Sequence, residues 1–173
     1  MKQQKNRINF RPVNENDIDD LYELFNELTN DAKNFFHPHS FDRKTIREIC
    51  SSGKDHYFVM MMDGKIIGYS MLRLFGYKIP SFGCCIRTGY GGMGYGSMLT
   101  GWTVETAKEL GYEKVILKVH KDNTIAFQMY KTVGFIITGE ISEKNEIKME
   151  KRLKKNKIIT HFFLLGFISY LVL

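Results

Sequence analysis

The sequence predicts a mixed α/β domain in which one sheet carries helices on its faces. Three observations lead there. Some stretches alternate apolar and polar residues, whereas others repeat apolar residues at helical spacing. Asp63-Gly64 joins two apolar runs as a hairpin turn would. A third apolar run leads into a glycine-dense loop that opens a helix. At 173 residues, with 43% hydrophobic and 25% charged composition, the chain has the length and balance of one globular domain with an appendage, which excludes a disordered or collagen-like chain.

In chain order, Ile8 to Val13 alternates as a first strand. Asn14 or Asn16 can cap the helix that follows, where Asp17, Asp19 and Asp20 sit at the positive end of the dipole and Ile18, Leu21, Leu24, Phe25 and Leu28 make its apolar side. A loop containing Phe35-Phe36-His37-Pro38-His39 precedes a short helix around Arg43 to Cys50. His56 to Met62 and Lys65 to Leu74 are the hairpin strands, and Ser81 to Arg87 is the strand entering the loop Gly89-Tyr90-Gly91-Gly92-Met93-Gly94-Tyr95-Gly96. The helix from this loop stops near Leu110, before Gly111. Lys114 to Val119 reads as a buried strand, Asn123 to Thr132 as a helix ended by Gly134, and Phe135 to Ile141 and Glu146 to Lys151 as closing strands. The order is β-α-α-β-β-β-α-β-α-β-β.

Charge and cysteine usage narrow the function. The net charge is +6, but five basic residues (Lys151, Arg152, Lys154, Lys155, Lys157) lie in one short run with no acid after Glu150. Taking those five from 25 leaves 20 basic against 19 acidic residues, so residues 1–150 carry only +1. A near-neutral body argues against a nucleic-acid partner, which favours basic residues spread over a face. Cys50, Cys84 and Cys85 form neither a disulfide framework nor a metal set, so no metal is expected. The polar, basic stretch from Met1 to Arg11 has no leader character, and a reducing cytoplasmic compartment is expected.

A strand, a glycine loop and a helix start together form a device for holding phosphate. Glycines allow positive φ, so successive amides can point at one anion, and the helix dipole adds to the attraction. The Gly-Lys-Ser/Thr ending of a P-loop is absent, since Ser97 follows Gly96 directly. A GxGxxG dinucleotide pattern is formally present from Gly89 to Gly94, with Asp122 as a distant ribose acid, but no second βαβ unit supports it.

A third reading accounts for more of the chain. Gly91-Gly92-Met93-Gly94-Tyr95-Gly96 and the later set Asn123, Ala126, Tyr130, Gly134 and Phe135 resemble, in order and spacing, the two signatures of the GNAT superfamily of N-acyltransferases. The first departs from the Q/R-x-x-G-x-G/A pattern by having glycine at position 91; the second is complete. The resemblance covers residues 7–152 and implies a mixed, mostly antiparallel sheet flanked by helices, with its central parallel strands splayed. It also implies an acetyl-CoA-dependent N-acetyltransferase acting by direct attack in a ternary complex. On this basis the backbone of Cys85, Ile86 and Arg87 would contact pantetheine, and Gly91, Gly92, Met93, Gly94, Tyr95, Gly96 and Ser97 would hold the pyrophosphate. Asn123 and Ala126 would line the coenzyme wall, and Tyr130 would protonate the departing thiolate.

His37 and His39 are the candidate bases, because the loop bearing them is where such proteins build the acceptor site; His120, at a strand end, is another. The acceptor is expected to be an amino sugar or another small amine, and a non-catalytic acyl-CoA-binding domain of the same fold is the alternative. Residues 153–173 form a tail, basic and then apolar. From 158 onward twelve of its sixteen residues are apolar, which suggests an anchor at the inner face of a membrane, a packed element, a homodimer contact or a gene-end artefact.

Overall fold

The computed structural model describes residues 7–51 and 53–154. The tail from Lys155 onward, on which the anchor and dimer readings rest, lies outside the described residues. Among those described, no helix is long and apolar enough to cross a membrane.

Seven strands form one sheet in the order β1-β2-β3-β4-β5-β7-β6. They are β1 (Ile8–Pro12), β2 (His56–Met62), β3 (Lys65–Arg73), β4 (Ser81–Ile86), β5 (Lys114–His120), β6 (Ile136–Ile141) and β7 (Glu146–Arg152). All neighbours are antiparallel except β4 and β5. Asp63 and Gly64 both take positive φ (49° and 86°), as a tight hairpin turn between β2 and β3 requires. β-Strand β3 carries a bulge beside Met60/Met61 of β2.

Helices α1 (Ile18–Glu27), α2 (Asn30–Phe35) and α3 (Arg43–Ser51) precede β2, whereas α4 (Tyr95–Glu109) and α5 (Thr124–Val133) flank β5 in sequence. Asn14 makes a capping box with Asp17 around a short 3-10 turn, so α1 proper begins later than the sequence suggests. Helix α2 was not anticipated. Thr29 caps it by accepting from the Ala32 amide, and it takes Phe35 out of the expected loop.

The two faces of the sheet have separate cores. On one, Leu21, Leu24, Phe25, Ile46 and Ile49 of α1 and α3 pack against Val59, Tyr69, Met71 and Cys85. On the other, Val104 and Ala107 of α4 and Tyr130 of α5 pack on Phe82, Val115, Leu117, Val119 and Met149. Alternation along the strands therefore assigns each residue of β4 and β5 to a face. Gly83, Cys85 and Arg87 look toward α1–α3, and Phe82, Cys84 and Ile86 look toward α4 and α5.

Arg87 ties β4 to α1. Its side chain is only 1% exposed and ion-pairs with Asp20 and with Glu27 Oε1 (3.2 Å), while donating to the Asp20 carbonyl (2.9 Å). Asp20 also accepts from the Ile66 amide at 2.7 Å, and the Thr88 hydroxyl donates to the Glu27 carbonyl. A buried cation stripped of one partner is costly. Asp20→Ala should therefore lower stability by about 2–3 kcal/mol and the urea midpoint by roughly 1 M, with Asp20→Asn intermediate, as read by equilibrium unfolding.

Candidate active site

The site is organised by a missing ladder. β4 pairs with β3 over six positions, and β5 pairs with β7 over seven, but β4 and β5 share only Ser81↔Ile116. The Ile116 amide reaches the Pro80 carbonyl at 3.1 Å, and beyond that point the two parallel strands separate. The Arg87 amide donates to the Ile67 carbonyl at 2.8 Å, which fixes the alternation of the β3–β4 ladder. Amides at 83, 85 and 87 thus face β3, and those of Cys84 and Ile86 face the split.

This changes one expectation. Cys85 and Arg87 do not offer their amides to a ligand in the split, because the ladder to β3 uses them. Ile86 does, joined by Cys84, which the sequence reading passed over. Counting alternate residues back from Arg87 was the missing signal, and it needed the register.

The glycine loop stands at the end of β4. Gly89, Gly92 and Gly94 have φ of 90°, 75° and 84°, the region only glycine enters freely. Gly94 is the N-cap of α4, and no side chain caps that helix, so the amides of Tyr95, Gly96 and Ser97 at its first turn keep their capacity to donate. A Cβ on Gly91, Gly92 or Gly94 would meet nothing within 4 Å, which leaves the cradle open on its outer side. Gly96 has a different reason to be small: a Cβ there would come within 3.0 Å of the Met129 sulfur of α5. Such an arrangement suits a phosphate ligand.

Asn123 caps α5 by accepting from the Ala126 amide at 3.2 Å, so its carbonyl oxygen serves the helix. Gly134 ends that helix at φ 98°. Tyr130 is 8% exposed, with its ring 6.0 Å from Phe82 and 5.7 Å from Phe135. Burial holds its hydroxyl well above the usual phenol range, and the neighbouring Cys84 adds to the effect. Burial likewise raises both Cys84 and Cys85, so these thiols stay protonated and are poor nucleophiles.

The histidines fare differently. His39 sits among Phe25, Phe41 and Tyr69, with ring centroids 5.5, 5.6 and 5.8 Å away. Its Nδ1–H donates to the Ser40 carbonyl (2.8 Å), and Nε2 accepts from the Tyr69 hydroxyl (3.0 Å). Both nitrogens of this candidate base are therefore engaged inside the fold, with Ser40 and Tyr69. Phe36 also turns inward and joins the α1–α3 core. Of the aromatic loop, His37 and Phe35 remain exposed. Phe35 lies 5.4 Å from the ring of His120 at the end of β5.

The chain matches the family described as the Acetyltransferase (GNAT) family over residues 18–135. Solved structures share the architecture. Spermidine N-acetyltransferase from Vibrio cholerae, in complex with CoA and spermine, is 19% identical with a TM-score of 0.73, covering 86% of this chain and 96% of that one. A GNAT-family acetyltransferase from Streptococcus pneumoniae is 21% identical (TM-score 0.69; 86% and 100% covered). Ribosomal-protein-S5-alanine acetyltransferase from Vibrio fischeri is 16% identical (TM-score 0.72; 84% and 92% covered).

Burial pushes the His39 imidazole below its ordinary value; its bond to Ser40 opposes this, and Arg73 nearby adds to the lowering. The folded form thus binds its proton less readily than the unfolded chain, so stability rises with pH through the window just below ~6.5. Urea titrations across that window should show this slope in the native sequence and a flatter one in His39→Gln.

Proposed function

We propose that this chain, which belongs to the GNAT acetyltransferase family, moves an acetyl group from acetyl-CoA to a primary amine by direct attack. The observation that carries the reading is the β4 edge left unpaired beside an uncapped glycine cradle. One binds an extended arm as an added strand, and the other binds a diphosphate.

In this reading the amides of the first turn of α4, with Gly92 and Gly94 shaping the approach, hold the pyrophosphate. The Cys84 and Ile86 edge accepts the pantetheine arm, and one of its amides faces the thioester oxygen, where negative charge develops during attack. The amine nitrogen forms a bond to the carbonyl carbon as the carbon–sulfur bond breaks. Tyr130 gives its proton to the leaving sulfur, and the proton lost by the amine passes to solvent or a base. A phenol kept protonated by burial, with its hydroxyl at Cys84 beside the split, is suited to that donation. The spermidine enzyme from Vibrio cholerae was solved with CoA and spermine, which supports a coenzyme and an amine as the ligands here.

Two experiments test these assignments. Following thiol release from acetyl-CoA across an amine panel, Tyr130→Phe should lower kcat by roughly a hundredfold while acetyl-CoA affinity holds. Unchanged turnover would remove Tyr130 from the acid role. Gly91 has open space around it and no positive φ, so an arginine fits there without strain. Gly91→Arg should tighten CoA binding about fivefold through one charge-assisted contact, read by calorimetry.

A further inference from the structure

We infer that the acceptor is an amine that also carries an anion, a carboxylate or a phosphate, with its ammonium received at Glu146 and its anion between Lys118 and Lys148. The inference rests on the acetyl-transfer reading above.

The argument starts from which face β5 leaves open. Val115, Leu117 and Val119 are buried toward α4 and α5, so Ile116, Lys118 and His120 lie on the opposite face. The single β4–β5 pair sets the level across the split: Ser81 opposes Ile116, which puts Gly83 beside Lys118 and Cys85 beside His120. These residues therefore stand where an amine would approach a thioester bound along β4.

Strand β7 supplies the other half. The Lys121 amide donates to the Asn145 carbonyl at 2.8 Å, so Lys121 and Asn145 form a hydrogen-bonded pair. Alternation then puts His120/Glu146 and Lys118/Lys148 in non-hydrogen-bonded pairs, where opposite side chains come closest. Two lysines facing each other there repel, and a sheet gains nothing from the pair by itself.

Other basic residues nearby are satisfied. Lys114 pairs with Glu150 (2.8 Å), Arg152 with the same carboxylate (3.3 Å), and Lys121 with Glu140 (2.9 Å). Lys118 and Lys148 are exposed and make no ion pair among the described residues.

Glu146 has the complementary fault. Its Oε2 is shut off from solvent and has no hydrogen-bond partner among the described residues. The residue as a whole is half-buried and makes no ion pair among the described residues, so an ammonium approaching the open side of this carboxylate would supply the charge partner it lacks. His120 accepts the Asp122 amide at Nδ1 (3.3 Å), which leaves Nε2–H as a donor toward an acceptor hydroxyl. The Phe35 ring beside it provides an apolar wall. The Glu146 and Lys148 positions are two residues apart, roughly 7 Å along the strand, the span of a phosphorylated amino sugar or a short amino acid.

The test compares matched pairs of amines on the full chain with acetyl-CoA: glucosamine against glucosamine 6-phosphate, and β-alanine against its amide. The anionic member of at least one pair should show kcat/KM roughly tenfold or more above its neutral partner. Which pair discriminates tells phosphate from carboxylate. In Lys118→Ala/Lys148→Ala that ratio should fall toward one, and in Glu146→Gln the KM for the amine should rise while acetyl-CoA still binds by calorimetry. If acetyl-CoA binds but neither pair is discriminated, if no anionic amine is turned over, or if the preference survives in the double variant, the inference is overturned. Absence of acetyl-CoA binding would instead sink the parent reading.

Discussion

Two parallel strands that touch at one position determine the rest of this site. Ser81 and Ile116 hold the bases of β4 and β5 together, and above them each strand is secured only on its far side. An unpaired sheet edge inside a protein is normally covered or blunted. Here the cores beneath keep the edge open. Phe82, Tyr130 and Phe135 fill the space on the α4–α5 side, and the β3 bulge at Ile67, where the Arg87 amide docks, adds twist where β4 ends. Packing on the α4–α5 side and the irregularity in β3 thus accompany the separation of the two strands.

Electrostatics follow from the same geometry. Groups near the split lie in dry surroundings, which keep Tyr130, Cys84 and Cys85 in their neutral forms. A neutral thiol is a poor nucleophile, while a neutral phenol retains its proton. Arg87 is the one fully buried cation described on this side, and its two terminal nitrogens pair with carboxylates of α1 instead of with the loop it precedes. The turn into the glycine loop is thereby fixed to the helix that leads into α2 and Phe35.

Much of this was legible in the residues. Local rules are strong where one residue type answers one backbone need, and so the Asp63-Gly64 turn, the glycine loop before α4 and Gly134 fall where the sequence puts them. Helix α2 was missed because six residues capped by a threonine carry too little periodicity to stand out, and its aromatic end reads as loop. The enclosure of His39 was hidden for a similar reason. Spacing cannot tell a histidine facing a cleft from one enclosed by Phe25, Phe41 and Tyr69, since the partners come from other elements. The edge amides depended on the register of β3 against β4, which the loop from Leu74 to Pro80 leaves open.

The pairing of β5 with β7 shows the limit most clearly. Lys118, His120, Glu146 and Lys148 are unremarkable as letters, being alternate positions of two strands separated by a helix and a further strand. Only an antiparallel register of the observed phase makes them two close pairs on one face. A slip of β7 by one residue would turn Glu146 and Lys148 toward α4 and α5, where burying their charges is costly. The apolar alternation of Val115, Leu117 and Val119 with Met149 thus specifies a core and, with it, which charges must gather beside the split. The charge pattern on this face of β5 and β7 is in that sense a consequence of how the opposite face packs, and it varies freely only in which polar residues occupy positions the core leaves open.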